Sequence, residues 1–440
     1  MFKKAVLSIV LFSILFRFPV MADSGIDNLV SEFKSQTKCD NVSVVVYDHG
    51  DVTYYGDCDG LYQIGSMTKS FTGLGVQKLI NEGVLSIDDK VSDLIPGFTA
   101  YYDSSVVTIT VRDLLTQKSG YTNSETDYPS ATEDMTLTEW AMNISGKALK
   151  SMPGTEYSYS NVNYNLLGLI IENTTGMTYR DYMESEVLDP IGMDQTSVGF
   201  PDGSAKKITG SRLGFRNVFE YEVPVREASI PAGYFYSNTK DIGTWMTSWI
   251  EGSDTDMNSM LLELNSEGDY YGGWEKFEGG VIGHSGGTPN YSSRIVFSRA
   301  DGVGVCVLTN LNVASTTDSL CNNIFAELTG GSHDGLICDV WTVFDIIFAS
   351  VSVAGAVLLI ASLVTKKKGL IIGIGSATLL LTVLIFILFP VIFGAGFSEI
   401  ALIWAPWSFL IGFSILAADV ICAGIKLIMV KVNEGRTKTG

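Results

Sequence analysis

Positive charge is scarce in this chain. Its 440 residues hold 29 lysines and arginines against 48 aspartates and glutamates, a net charge of −19. A nucleic-acid partner needs basic clusters to replace counterions on phosphates, so that class of function is set aside. No internal repeat or low-complexity tract is present, which removes repeat architectures. Cysteine is limited to six residues and histidine to three, and nothing in the pattern calls for a metal or a cofactor.

Long apolar runs, by contrast, are concentrated at the ends. Lys3 and Lys4 precede an apolar stretch from Ala5 to Phe16 and the small residues of Val20-Met21-Ala22, the layout of a secretory leader of residues 1–22 cleaved before Asp23. Cys338 to Val364, Leu370 to Phe393 and Ile400 to Ile425 are each long and apolar enough to cross a bilayer. Lys366, Lys367 and Lys368 separate the first two, and Lys426, Lys431, Arg436 and Lys438 follow the third, whereas Gly394 to Glu399 has no basic residue. Positive loops stay inside. The expected topology is therefore multi-pass in the cell membrane, with a cytoplasmic C-terminus and everything before Cys338 outside.

The outer segment from Asp23 to Ile337 carries 19 basic and 43 acidic residues, a net −24, which reads as solubility on an acidic surface. It divides into a domain of residues 23–330 and a short polar linker of residues 331–337, around TGGSHDG, before a membrane domain of residues 338–440. Strand-like runs at both of its ends, Ser43 to Tyr55, Tyr291 to Phe297 and Gly302 to Thr309, enclose a region of helical periodicity. Distant ends that both read as strands predict one sheet closed by the two termini, an α/β (α+β) fold with a second, mainly helical lobe. Cys39 and Cys58 flank two β-branched runs around a His-Gly turn, so they are expected to face each other across a hairpin as a disulfide. Cys306 reads as a buried core thiol, and Cys338 and Cys422 belong to the spans.

Chemistry enters with LYQIGSMTKSFTGLGV, residues 61–76. From Met67 to Val84 apolar residues cover nearly all sides of a helix, with Gly83 as its terminator. Gly73 and Gly75 cost about 1 kcal/mol each against alanine and so predict a neighbour packed on the backbone. A lysine in such a helix is costly unless hydrogen-bonded or neutral. Ser66 lies one turn before Lys69, near the positive end of the helix dipole. The S-x-x-K spacing alone is weak: usage predicts about one or two matches, and Ser31/Lys34, Ser35/Lys38, Ser66/Lys69, Ser204/Lys207 and Ser237/Lys240 make five.

Two further segments select Ser66. PGTEYSYSNVNYNLLG contains Tyr159-Ser160-Asn161, and GHSGGTPNYSSRIVF contains His284-Ser285-Gly286-Gly287 ahead of a strand. With these, the chain resembles the serine β-lactamase and penicillin-binding-protein superfamily, in the branch of class C β-lactamases, D-alanyl-D-alanine carboxypeptidases, D-aminopeptidases and related esterases. The resemblance runs from about Asp23 to Leu328 and includes the phrases LSIDDKVSDLIPGF, ITVRDLLTQKSGY, MESEVLDPIGMDQTS, PAGYFYSNTKD and GVGVCVLTN. It implies a β-lactamase/transpeptidase-like antiparallel sheet flanked by helices, here followed by three transmembrane helices. Tyr121-Thr122-Asn123, Tyr236-Ser237-Asn238 and His333-Asp334-Gly335 match the short motifs without their context, and His49 and His333 are expected to be exposed.

Ser66 is then the nucleophile, made competent by a neighbour that takes its proton. Lys69 does so only if neutral. Tyr159 is the second proton handler, and the sequence does not decide which of the two is the base; Asn161 hydrogen-bonds Lys69 or a substrate amide. The resemblance adds an oxyanion hole from the N–H groups of Ser66 and Gly287, beside Ser285 and Gly286. One departure stands out. Many β-lactam-handling relatives have K-T-G where this chain has His284-Ser285-Gly286, replacing an ammonium by an imidazole that titrates near about pH 6.5 when unperturbed. Arg294 either substitutes for that charge or is an exposed strand residue, and the pattern favours the second. The reading is an anchored extracytoplasmic serine hydrolase acting through an acyl-enzyme on small esters or D-amino-acid peptides rather than efficiently on β-lactams. The alternative is a sensor or binding module whose acylated outer domain signals through the spans.

Overall fold

The β-branched runs at the two ends of the outer segment meet in one sheet. The computed structural model describes residues 25–436 except Glu125, Thr126, Asp202, Ser204, Ser253 and His333, with side chains through Val432; the leader, its cleavage site and His333 lie outside the described residues. The strands β1 (Val42–Asp48), β2 (Asp51–Tyr55), β3 (Tyr270–Tyr271), β4 (Trp274–Lys276), β5 (Ile282–Gly287), β6 (Ser292–Ser298) and β7 (Val303–Thr309) lie in the order β3-β4-β5-β6-β7-β1-β2. Every neighbour is antiparallel. β1, β6 and β7 are buried at nearly every position, so both faces are covered and the strands read as continuous apolar runs rather than alternating ones. α1 (Ile26–Thr37) packs on α5 (Ala314–Leu328), which lies against β6 and β7, while α4 (Thr239–Glu251) lies against β1 and β7. The mainly helical lobe is drawn from residues between β2 and β3, where α2 (Thr68–Asn81) packs on α3 (Asn161–Thr175).

α2 is the helix expected over Met67 to Val84. It is entered through a single 3-10 turn, Gly65–Met67, and left through Gly83 at φ +74. Lys69, Phe71, Thr72, Leu74 and Val76 are all buried, and Phe71 stacks on Trp245 with ring centres 3.9 Å apart. The two helix glycines do have backbone-close neighbours. A Cβ at Gly73 would lie 2.0 Å from the Gly272 carbonyl oxygen, and one at Gly75 would lie 3.1 Å from Met183 Sδ. The β3–β4 turn thus presses directly on α2 just past Lys69.

The expected Cys39–Cys58 disulfide is absent: both thiols are free. Register explains it. Val44 stands opposite Tyr55 and Asp48 opposite Asp51, and continuing that pairing places Asn41, not Cys39, opposite Cys58. Cys39 instead lies before β1, fully buried, with its Sγ donating to Asn310 Oδ1 at 3.2 Å and the Asn41 carbonyl at 3.4 Å. Burial pushes this thiol up to about 12, so it is a poor partner for oxidation.

Two compact units divide the described residues, one of residues 25–211 with 220–337 and the other of Arg212–Phe219 with Cys338 onward. The second unit contains α6 (Val340–Val364), α7 (Lys368–Phe393) and α8 (Trp407–Arg436), three helices long and apolar enough to cross a membrane. α8 starts seven residues later than the apolar run. Pro406 drives Ala405 to an extended conformation, φ −73 and ψ 153, and cuts Ile400–Trp404 off as a separate turn. Asp419 joins the three helices by accepting from Ser362 Oγ and Thr378 Oγ1 at 2.6 and 2.9 Å. With no disulfide in place, Cys39 and Cys58 should both be alkylated in unreduced, denatured protein; a mass consistent with a Cys39–Cys58 bridge would contradict the register.

Candidate active site

Ser66 sits in the middle of the 3-10 turn Gly65–Met67, held there by a glycine that other residues would not replace. Gly65 has φ +54, and a Cβ on it would lie 2.7 Å from the backbone nitrogen of Gly287. The tip of α2 and the end of β5 are therefore in backbone contact.

One turn later, Lys69 is completely buried and, among the described residues, makes no ion pair. Its Nζ lies 3.0 Å from Ser66 Oγ, 2.8 Å from Asn161 Oδ1 and 2.5 Å from the carbonyl oxygen of Ala232. Burial pushes its pKa well below 10.5, which favours the neutral amine. A neutral amine has two hydrogens and one lone pair. Asn161 Oδ1 and the Ala232 carbonyl only accept, so they take the two hydrogens, and the lone pair is left facing the Ser66 hydroxyl. That is the arrangement a base needs to receive the serine proton.

Asn161 reaches Lys69 because it opens α3. Ser160 caps that helix by accepting from Val162 N at 3.3 Å, and is itself fixed by bonds to Gln117 Oε1 and the Thr122 carbonyl. Tyr159, immediately before the cap, is turned back toward Lys69, whose Nζ is 4.9 Å from its ring centre. The ring is partly exposed, but the hydroxyl is buried without a hydrogen-bond partner among the described residues. Burial raises its pKa far above 10.0, with the Ser66 hydroxyl pulling the other way. Tyr159 is therefore a protonated phenol beside an amine whose charged form burial disfavours.

His284 occupies the start of the motif on β5 and is 2% exposed. Its Nδ1 lies 2.6 Å from the Ser285 carbonyl oxygen; a carbonyl only accepts, so Nδ1 carries the hydrogen and Nε2 keeps the lone pair. Nε2 is buried with no partner among the described residues. Burial lowers this imidazole from 6.5 to about 3, well below the unperturbed value expected from sequence. Tyr159 Oη and His284 Nε2 are thus two orphaned buried groups on rings whose centres lie 6.0 Å apart. Unsatisfied buried polar atoms mark where a ligand's atoms belong.

β5 supplies the remaining wall. β4 pairs only with Ile282 and Gly283, which leaves the edge from His284 to Gly287 open. Gly286 is pressed on Ile64, whose carbonyl oxygen would lie 2.0 Å from a Cβ there. Gly287 is exposed. Thr288 N donates to the Tyr291 carbonyl across the β5–β6 turn, so by antiparallel alternation the neighbouring Gly287 N–H points away from β6, on the side where Gly65 and Ser66 lie. Ser285 is half-buried and bonded to Arg294, which corrects the expectation of an exposed strand arginine: Arg294 is 7% exposed, its Nη1 2.8 Å from Ser285 Oγ. The register places the two residues directly opposite each other.

The other motif matches fall apart in three dimensions. Ser237 bonds Thr196, 2.8 Å away, while Lys240 is drawn off to Asp59 at 2.6 Å. Tyr236 accepts from Gln63, Asn238 caps α4, and His49 is exposed beside Asp48. Of the Tyr121 match, the Thr122 carbonyl accepts from Ser160 Oγ and Asn123 Oδ1 accepts from Asn161 N at 3.2 Å. Sequence reasoning missed the Ala232 carbonyl and Gln117, since neither a backbone acceptor nor a buried amide leaves a pattern.

Residues 26–322 match the sequence profile of the family described as Beta-lactamase. The chain belongs to the β-lactamase family. Protein flp of Staphylococcus aureus strain MRSA252 is 33% identical over 269 residues, 57% of this chain and 53% of that protein. Penicillin-binding protein 4* of Bacillus subtilis strain 168 is 25% identical over 301 residues, 58% of this chain and 65% of that protein. This chain thus spans about half the length of the first and under two thirds of the second. The octameric penicillin-binding protein homologue from Pyrococcus abyssi superposes with a TM-score of 0.62 at 22% identity, covering 73% of this chain and 80% of that one, a likeness of fold. The β-lactamase-family sheet and its helices, with three long apolar helices following, are those expected.

Two outcomes follow from the geometry. Ser66→Ala should abolish labelling of the full-length protein by a fluorophosphonate and Ser237→Ala should not; equal labelling of the Ser66 variant and wild type would refute the assignment. Because His284 is held neutral, kcat/KM on a neutral ester should carry no imidazole inflection between about pH 5.5 and 7.5. An inflection in that window that disappears in His284→Gln would show that the ring titrates normally.

Proposed function

We propose that this protein is a membrane-anchored serine hydrolase that works through an acyl-enzyme at Ser66 on esters or D-amino-acid peptides of the cell envelope. The observation that carries this is the neutral-amine geometry at Lys69, with both hydrogens bound by acceptors and the lone pair left for Ser66. In the first half-reaction the Ser66 proton passes to Lys69 Nζ as Oγ bonds to the substrate carbonyl carbon. The carbonyl oxygen takes the negative charge between the Ser66 and Gly287 N–H groups. Tyr159 donates its phenolic proton to the leaving oxygen or nitrogen as that bond breaks, and the proton held by Lys69 restores the phenol. Water then repeats the sequence in reverse on the acyl-enzyme.

His284, being neutral, offers no fixed charge to a substrate carboxylate, which supports esters and amides over β-lactams. The bilayer position is supported by the apolar helices and by Lys426, whose Nζ donates to the carbonyls of Ser362, Leu363 and Thr365 at the end of α6. That contact brings the basic end of α8 beside Lys366 to Lys368, as the positive-inside rule asks of two cytoplasmic segments. The outer domain is then extracytoplasmic. Because Arg212–Phe219 belongs to the membrane unit, the assay should use the full chain in detergent. Multiple turnover is expected on short-chain aryl esters or D-alanyl peptides, with a chromogenic β-lactam turned over poorly. A stoichiometric burst followed by an acyl adduct on Ser66 that persists for hours would instead favour the sensor.

A further inference from the structure

β5 alternates its side chains between two sides. Ser285 and Gly287 face α5, where the nearest neighbour of a Cβ on Gly287 would be Ala314 at 3.9 Å. On that side a polar chain runs along the open edge of the site. Arg294 Nη1 donates to Ser285 Oγ at 2.8 Å, and the Ser285 hydroxyl donates to Asp318 Oδ2 at 3.0 Å. The Arg294 guanidinium lies over Phe277, 5.0 Å from the ring centre, and its Nε is buried without a partner among the described residues. Glu275, opposite Gly283 in the β4–β5 register, is within electrostatic range of Arg294. A half-buried serine bonded to one carboxylate and to a guanidinium, which itself feels a second carboxylate, therefore stands one residue from His284 and two from Gly287.

A serine and an arginine side by side at the edge of an acyl-transfer site would ordinarily serve to bind a carboxylate. Here the serine proton is already committed to Asp318. Resting on the hydrolase reading above, we propose that Asp318 takes the place on Ser285 and Arg294 that a substrate carboxylate would occupy, so that the site selects aminoacyl or uncharged acyl groups against carboxylate-bearing ones. A second carboxylate arriving there meets Asp318 on Ser285 and Glu275 near Arg294, which is discrimination by like charge. A protonated amine meets the two acids instead. The substrate class this defines is that of esters and amides whose acyl group carries a free α-amino group or no charge.

The test is kcat/KM of the full-length protein in detergent on D-alanyl, propionyl and succinyl esters of one alcohol. Wild type should favour the first two over the succinyl ester by about tenfold or more, the scale of one charge-assisted contact. Asp318→Asn should lower the alanyl-to-succinyl ratio by about tenfold, and Glu275→Gln should shift it in the same direction. The ratio does not depend on how much enzyme is folded, and Glu275→Gln carries the test if the Asp318 variant fails to fold. A wild-type preference for the succinyl ester, or a ratio unmoved in every variant that folds, overturns the inference. Wild-type protein that neither labels at Ser66 nor hydrolyses any of the esters overturns the hydrolase reading and this one together; a labelled, active enzyme with an unmoved ratio overturns this one alone.

Discussion

The burial of one amine without a counter-ion organises the outer domain. Lys69 can stay in the core only as a neutral base with both hydrogens bound, because an unpaired ammonium there would cost many times what any single contact returns. Asn161 and the Ala232 carbonyl meet that demand from two separate elements. The Ser160 cap fixes the first by setting where α3 begins. The turn Gly272-Gly273 closes the dielectric around α2 from outside, since a Cβ on Gly273 would lie 2.3 Å from the Lys69 carbonyl carbon. His284 follows the same rule. A charged residue at this position would put a cation beside the amine, whereas an imidazole lowered to about 3 adds none. Burial alone accounts for the depressed lysine, so the site does not need the positive neighbour that K-T-G relatives carry.

Much of this was legible in the chain because it is local. Ser66 and Lys69 are one turn apart, Tyr159 and Asn161 straddle a cap, and Gly73 and Gly75 are too costly in a buried helix to lack a close neighbour. The sheet closed by the two termini followed from where the β-branched runs fall. What failed needed long-range register. Cys39 and Cys58 flank the hairpin symmetrically in sequence, yet a two-residue offset in pairing separates them. Arg294 reads as an exposed strand residue until β5 is laid against β6 and places it opposite Ser285. Asp318 carries no motif at all; its carboxylate matters only because α5 returns over the sheet.

Electrostatics separates the two proton handlers that the sequence left equivalent. Desolvation acts on both in the same physical sense, against the charged form, but the charged form of an amine is protonated and that of a phenol is deprotonated. The same burial therefore lowers Lys69 and raises Tyr159. One cause thus inclines the amine to accept a proton and the phenol to keep one, and a tyrosinate would require the environment to favour an anion that nothing nearby stabilises except the serine hydroxyl.

The unit that holds the three long apolar helices meets its buried charges by a different route, largely with backbone groups. Arg212 is 2% exposed and donates to the carbonyls of Ala401, Leu402 and Ala405, under the Trp407 ring at 4.3 Å. Those acceptors exist because Pro406 has no N–H to offer Leu402, and because Ala405 N turns instead to Ile400. Asp345, fully buried in α6, accepts from Phe215 N and Arg216 N at 2.8 and 2.6 Å and from Ser408 Oγ at 2.6 Å. Phe215 and Arg216 both have positive φ, 52 and 62, and that tight turn aims two successive N–H groups at one carboxylate. Neither charge is tolerable without its partners. The segment from Arg212 to Phe219 is thus as much a part of this unit as its three long helices, although more than a hundred residues separate it from them in the chain, and cutting the protein before Cys338 would remove the Ala401, Leu402 and Ala405 carbonyls that the guanidinium binds.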